Sequence, residues 1–78
     1  MDEFDEELDT SGLTCPMPIL KAKKAISSLL AGQILRVIAT DPGSLKDFQA
    51  FAKQTGHELL EAREDNQIFY YLLKKREP

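Results

Sequence analysis

Apolar residues recur along this chain with two different periods. Between residues 16 and 31, Ile19, Ala22, Ile26, Leu29 and Leu30 recur at mostly helical spacing and share one face. Gly32 follows, where a helix C-terminus favours glycine. Leu45, Phe48, Phe51 and Ala52 repeat the pattern over residues 45–55, and Gly56 closes it. Between the two helices, Ile34-Leu35-Arg36-Val37-Ile38-Ala39-Thr40 is short, nearly all apolar and rich in branched side chains, which predicts an inner strand. Glu58 to Arg63 and Ile68 to Lys74 predict two more strands around a turn at Glu64-Asp65-Asn66-Gln67. Leu8, flanked by Glu6 and Thr10, predicts a short first strand after an acidic tail, residues 1–5, that is expected to fray.

The predicted order is βαβαββ. The first two crossovers are long enough for right-handed parallel connections, and the last two strands should form an antiparallel hairpin. The expected fold is therefore an α/β two-layer sandwich, with two helices packed on one face of a four-stranded mixed sheet. All 78 residues are expected to form one domain. One feature strains this picture. Ile68, Tyr70 and Leu72 face one way on the last strand and Phe69, Tyr71 and Leu73 the other, so both faces are apolar while the helices cover only one. Either the strand is central and tails shield its far face, or a patch is left for a partner.

Charge and composition narrow the function. The net charge is −3, with acid at the N-terminus and base at Lys21, Lys23 and Lys24 and again at Lys74, Lys75 and Arg76. An acidic balance, and no expected basic–aromatic sheet face, argue against direct nucleic-acid binding. No apolar run approaches the length of a membrane span, and the acidic start predicts no secretory signal. A cytoplasmic setting, in which thiols stay reduced, is expected.

Candidate chemistry gathers at Cys15, the only cysteine. It stands in Gly12-Leu13-Thr14-Cys15-Pro16-Met17-Pro18, at the entrance to the first helix. Proline is tolerated in a first helical turn because its missing N–H has no intrahelical partner there. With Pro16 as the first helical residue, Cys15 becomes the N-cap, next to unpaired backbone donors and the positive end of the helix dipole. That setting, helped by Lys21, Lys23 and Lys24, is expected to lower the thiol pKa and favour the nucleophilic thiolate. The two prolines should hold the sulfur outward. A lone cysteine can exchange a group with a partner but cannot close an internal disulfide.

Other chemistries lack their parts. There is no CxxC, no GxGxxG and no P-loop, and one cysteine with one histidine cannot build a structural zinc site. His57, at the start of the third strand, is expected to be structural or exposed rather than a partner of Cys15. Ser44 and Asp47 resemble a capping box, with Asp41 before Pro42 as a competing cap. Asp41-Pro42 and Cys15-Pro16 each end a strand and open a helix. In a parallel βαβ unit both fall at one edge of the sheet, so Asp41 has two readings, helix capping, which is the favoured one, and lining the groove beside the thiol.

On these residues the chain resembles the TusA (SirA-like) family of small sulfur-carrier proteins. The likeness runs through Leu8-Asp9, Gly12 to Pro18, Thr40-Asp41-Pro42, Gly56-His57-Glu58-Leu59 and the closing aromatic strand. The resemblance implies the same sandwich fold, with Gly12, Pro16 and Pro18 as structural parts of the motif. It implies that Cys15 accepts sulfur as a persulfide from a donor, a cysteine desulfurase or a rhodanese, and passes it to an acceptor protein. No metal or organic cofactor is implied. Met17, Lys23 and Asp41 become partner contacts. Members best understood in transfer RNA thiolation carry an acidic residue where this chain has Met17, so transfer RNA thiolation, molybdenum cofactor assembly and sulfur oxidation all stay open. The alternative is a regulatory interaction module in which Cys15 is dispensable.

Overall fold

A computed structural model of the protein describes residues 4–77. The elements are β1 (Glu6–Thr10), α1 (Met17–Ser27), β2 (Ile34–Ala39), α2 (Ser44–Thr55), β3 (Glu58–Asp65) and β4 (Ile68–Lys74). The strands form one mixed sheet in the order β1-β2-β4-β3. β1 is parallel to β2, and β4 is antiparallel to both β2 and β3. Both helices pack on one face, α1 over β1 and β2, α2 over β3 and β4. This is the α/β sandwich that the hydrophobic pattern predicts.

Strand alternation explains the core. Leu35, Val37 and Ala39 of β2 and Tyr71 and Leu73 of β4 turn toward the helices and are almost wholly buried. Ala22 and Ile26 of α1 and Phe48 and Phe51 of α2 close over them. Phe48 stacks on Tyr71 with ring centroids 4.6 Å apart and meets Phe51 edge-on at 6.4 Å. Burying a side chain such as Phe48 contributes about 1.5–3 kcal/mol.

The ends of the elements depart from the sequence pattern. α1 stops at Ser27, short of the predicted residue 31. The Ser27 and Ser28 hydroxyls donate to the carbonyls of Lys24 and Ala25, and Lys75 Nζ donates to those of Ser27 and Leu29. Local hydroxyls and a distant cation thus take over the orphan carbonyls of the last turn. Leu29 is still buried, but Leu30 is 72% exposed and Gly32 serves the following turn. α2 begins at Ser44, and Leu45 points outward at 39% exposure rather than into the core. Ser44 does not cap the helix. Its buried hydroxyl is 2.6 Å from that of Tyr71, a tertiary bond that a local capping rule cannot foresee. Gly56 does end α2, at φ +84°, a left-handed conformation that favours glycine.

The hairpin pairs further than predicted. β3 reaches Asp65, and Asn66 and Gln67 alone form the turn, both at positive φ. Two left-handed residues match the right-handed twist of the strands, so pairing continues up to the turn. A register shift between Leu59 and Glu61 leaves Leu60 as the extra residue, 42% exposed.

The far side of the sheet is not bare. Arg36 lies between the rings of Phe4 and Tyr70, at 5.4 and 5.0 Å, and Arg63 lies 5.1 Å from Tyr70. Leu72 is only 8% exposed. Basic and aromatic side chains therefore do share this face, contrary to the sequence reading. Glu7 pairs with Arg36 at 3.3 Å and Glu61 with Arg63 at 3.9 Å, which offsets their charge. Residues 1–3 of the expected acidic tail lie outside the described residues. Asp5, also assigned to that tail, is tied down instead: its N–H donates to the Ile34 carbonyl, and its carboxylate accepts the Ile34 N–H, both at 2.8 Å.

Candidate functional site

Parallel pairing brings two strand-to-helix turns side by side. Thr10 at the end of β1 pairs with Ala39 at the end of β2. Beyond these, the chain enters α1 through residues 11–16 and α2 through residues 40–43. The Asp9 carboxylate accepts the Ser11 N–H at 2.9 Å and starts the first turn. Gly12 follows at φ +81°, which a side chain would strain, and its N–H donates to Thr40 Oγ1 at 2.8 Å. The Cys15 N–H donates to Asp41 Oδ2 at 3.1 Å. The other Asp41 oxygen accepts the Gly43 N–H at 3.3 Å. Asp41 thus bridges the two turns beside the thiol and does not cap α2, so the lesser of its two sequence readings is the one the fold realises.

Cys15 is exposed and unpaired. It is not the N-cap. Met17 N–H bonds to the Thr14 carbonyl at 2.9 Å, so residues 14–17 close a turn and α1 starts only after Pro16. The Cys15–Pro16 peptide is cis. Pro18 is buried in the first turn of α1, whereas Met17 and Leu20 are 41% and 52% exposed on the same helix.

The electrostatics run opposite to expectation. The thiol pKa is raised, not lowered. The causes, largest first, are hydrogen bonding to Asp47, desolvation, and the charges of Asp47 and Asp41. A neighbouring anion disfavours thiolate. Acidic neighbours outweigh the helix dipole, while the lysines line other grooves. Lys21 and Lys24 line a groove against Leu8, and Lys23 lies between α1 and α2 with His57, Lys75 and Arg76.

His57 precedes Glu58, which pairs with Lys74 at the opposite end of the sheet from Cys15. Its Nδ1 accepts the Arg76 N–H at 3.0 Å, and its ring lies 5.9 Å from Phe51. It has no part in the thiol site, as the sequence suggests.

Asp47 is the residue that sequence reasoning did not assign to the site. It figures there only as the partner of Ser44 in a cap, and no side-chain cap bond forms at α2. A carboxylate in the first turn of the second helix, at the same sheet edge as the cysteine turn, was the available signal. A surface hollow of about 580 Å³ opens on the same edge, between Thr40 and Pro42 and the hairpin turn at Asn66 and Gln67.

This geometry can be set beside known proteins. The family model described as Sulfurtransferase TusA matches residues 6–75. The chain belongs to the TusA family. The Sulfur carrier protein TusA of Allochromatium vinosum is 61% identical over 75 residues, covering 96% of this chain and 99% of that protein. The Sulfur carrier protein TusA of Pseudomonas putida is 42% identical over 72 residues, covering 92% of this chain and 90% of that protein. A crystal structure of a SirA-like protein from Desulfitobacterium hafniense superposes with a TM-score of 0.81 at 28% identity, covering 94% of this chain and all of that one. In this TusA-family chain, no helix among the described residues is long and apolar enough to cross a membrane.

Proposed function

We propose that the chain carries sulfur as a persulfide on Cys15. A donor protein of the cysteine desulfurase or rhodanese type loads it, and an acceptor protein takes the terminal sulfur. The reading is supported most by one observation: in a TusA-family chain the sole thiol is exposed at the sheet edge, and its backbone is tied to Asp41. Each transfer is a thiol attack on a sulfur–sulfur bond, as in thiol–disulfide exchange, and needs no metal or organic cofactor. Gly12, Pro16 and Pro18 shape the turn that presents the sulfur. Met17 and Asp41 flank it and serve as partner contacts; Lys23 lies instead toward the histidine end of the sheet, with His57, Lys75 and Arg76. The setting is a reducing cytoplasm, where a lone thiol stays free. Sulfur then leaves toward transfer RNA thiolation, molybdenum cofactor assembly or sulfur oxidation, a choice made by the acceptor.

Intact-mass measurement after incubation with a cysteine desulfurase and cysteine tests this. One sulfur atom, about 32 Da, should appear on the wild type and be absent from Cys15→Ala. A wild type that alkylates readily yet takes up no sulfur from several donors would defeat the reading. Full cellular function of Cys15→Ala would favour a partner-binding module instead. That alternative drew on an uncovered apolar sheet face, and Arg36, Arg63 and Phe4 cover Tyr70 there.

A further inference from the structure

Pairing between β1 and β2 stops at Thr10 and Ala39, and side chains carry it on from there. The Thr10 hydroxyl, buried at the seam, donates to the Ile38 carbonyl at 2.6 Å. Past the strand ends, Thr40 Oγ1 accepts the Gly12 N–H at 2.8 Å, and Asp41 Oδ2 accepts the Cys15 N–H at 3.1 Å. We propose that Thr40 is a positioning residue for sulfur transfer: acting through Gly12, and together with Asp41, it holds the cysteine turn in the geometry that aims Cys15 at a docked donor or acceptor. The inference rests on the sulfur-carrier reading and gives a role to a residue outside the partner contacts.

One tether fixes a point on a chain, whereas two fix the segment between them. The segment from Gly12 to Cys15 is anchored at both ends, by adjacent residues of the β2–α2 turn. That turn is braced in its own right. The Asp41 carbonyl accepts the Ser44 N–H at 3.0 Å, and the second Asp41 carboxylate oxygen accepts the Gly43 N–H at 3.3 Å. Behind it, the Ser44 hydroxyl is held in the core against that of Tyr71. Inside the cysteine turn, the Leu13 N–H donates to the Thr10 carbonyl at 3.1 Å and the Met17 N–H to the Thr14 carbonyl at 2.9 Å. Gly12 is the soft point. It is exposed, its φ is +81°, and a Cβ there would meet nothing within 4 Å. Glycine leaves such a conformation easily, so the bond to Thr40 is what fixes the Gly12 peptide. Thr40 is half-buried, behind the exposed Cys15 and Met17, as suits a support rather than a contact.

The transfer itself explains why aim matters. Cys15 gives its proton to solvent, and its sulfur attacks the outer sulfur of the donor persulfide. A sulfur–sulfur bond forms on Cys15 while the donor's own sulfur–sulfur bond breaks. The electron pair leaves on the donor cysteine, which takes up a proton from solvent. One thiol and one persulfide become one persulfide and one thiol, with no net oxidation or reduction. Displacement at sulfur requires the attacking and leaving atoms in line, so a slack turn slows the step after docking and leaves docking intact. A small free electrophile approaches from any open direction and does not feel the slack.

Thr40→Val keeps a β-branched side chain of similar shape and removes the acceptor. With the carrier varied against catalytic amounts of a cysteine desulfurase and excess cysteine, kcat for persulfide loading should fall about tenfold while KM stays near the wild-type value. Iodoacetamide should alkylate Cys15 in this variant at the wild-type rate. Thr40→Ser, which keeps the hydroxyl, should restore most of kcat. Wild-type kcat in Thr40→Val would overturn the proposal. So would a loss that sits in KM, a Thr40→Ser variant as slow as Thr40→Val, or alkylation that falls in parallel with loading. If circular dichroism shows Thr40→Val unfolded, Thr40→Ala carries the same expectations. A wild type that takes up no sulfur would instead strike the sulfur-carrier reading.

Discussion

The two ends of the sheet carry opposite chemistry on one scaffold. Where β1 and β2 finish, the Cys15 N–H donates to Asp41, and the acidic groups of Asp47 and Asp41 raise the thiol pKa. Where β4 finishes, His57 meets Lys23, Lys75 and Arg76, and burial with two of these cations drives its pKa down. Each end suppresses the charge its titrating residue would carry: thiolate at the first, imidazolium at the second. The means differ. At the cysteine end, the suppressing groups come from a neighbouring turn and leave the sulfur exposed for exchange. At the histidine end, the imidazole is consumed by structure, accepting a backbone N–H and packing on Phe51. A perturbed titration marks a candidate reactive group only where geometry leaves it accessible.

Three perturbations test this contrast at the level of the fold, from the largest expected effect to the smallest. Tyr71→Phe should loosen the cysteine end most. It leaves the buried Ser44 hydroxyl without its partner, at a cost of about 1–3 kcal/mol in urea unfolding. Because that bond sets the first turn of α2, the alkylation profile of Cys15 should also drift toward that of an ordinary thiol. A loss of stability with an unmoved profile would show that the two ends do not depend on α2 in the way described.

Lys75→Met should loosen the other end alone. Its ammonium group caps the last turn of α1, and such contacts contribute about 0.3–1 kcal/mol. Thermal melting should fall modestly while Cys15 reactivity stays as in wild type. A changed thiol profile here would erase the separation between the ends.

The smallest effect concerns pH. His57 has a folded-state pKa below the ordinary histidine value of about 6.5. The unfolded chain therefore binds the proton more readily. Stability is at its full value above about 6.5 and declines as pH falls, until the folded imidazole itself protonates. Melting curves between pH 7.5 and 5 should show this slope in wild type, and His57→Gln should flatten it. An equal slope in both proteins would assign the acid sensitivity to other groups.

Much of this was legible in the chain. Helical spacing identified both helices, runs of branched and aromatic residues identified the inner strands, and the Asp41–Pro42 and Cys15–Pro16 turns pointed to one sheet edge. Asp41 was found because a parallel βαβ unit must bring those turns together. Misread were the places where a distant residue decides a local outcome. Ser44 looks like a cap until Tyr71 takes its hydroxyl, and α1 looks longer until Lys75 takes its carbonyls.

The sequence alone thus determined the layers, the order of elements along the chain and the place of the single thiol at a helix entrance, since hydrophobic pattern and turn chemistry act through near neighbours. The sign of the potential at that nucleophile belonged to the tertiary structure. Electrostatic effects depend on distance through space, and only the folded sheet ties Asp41 to the Cys15 backbone while turning Lys21, Lys23 and Lys24 elsewhere.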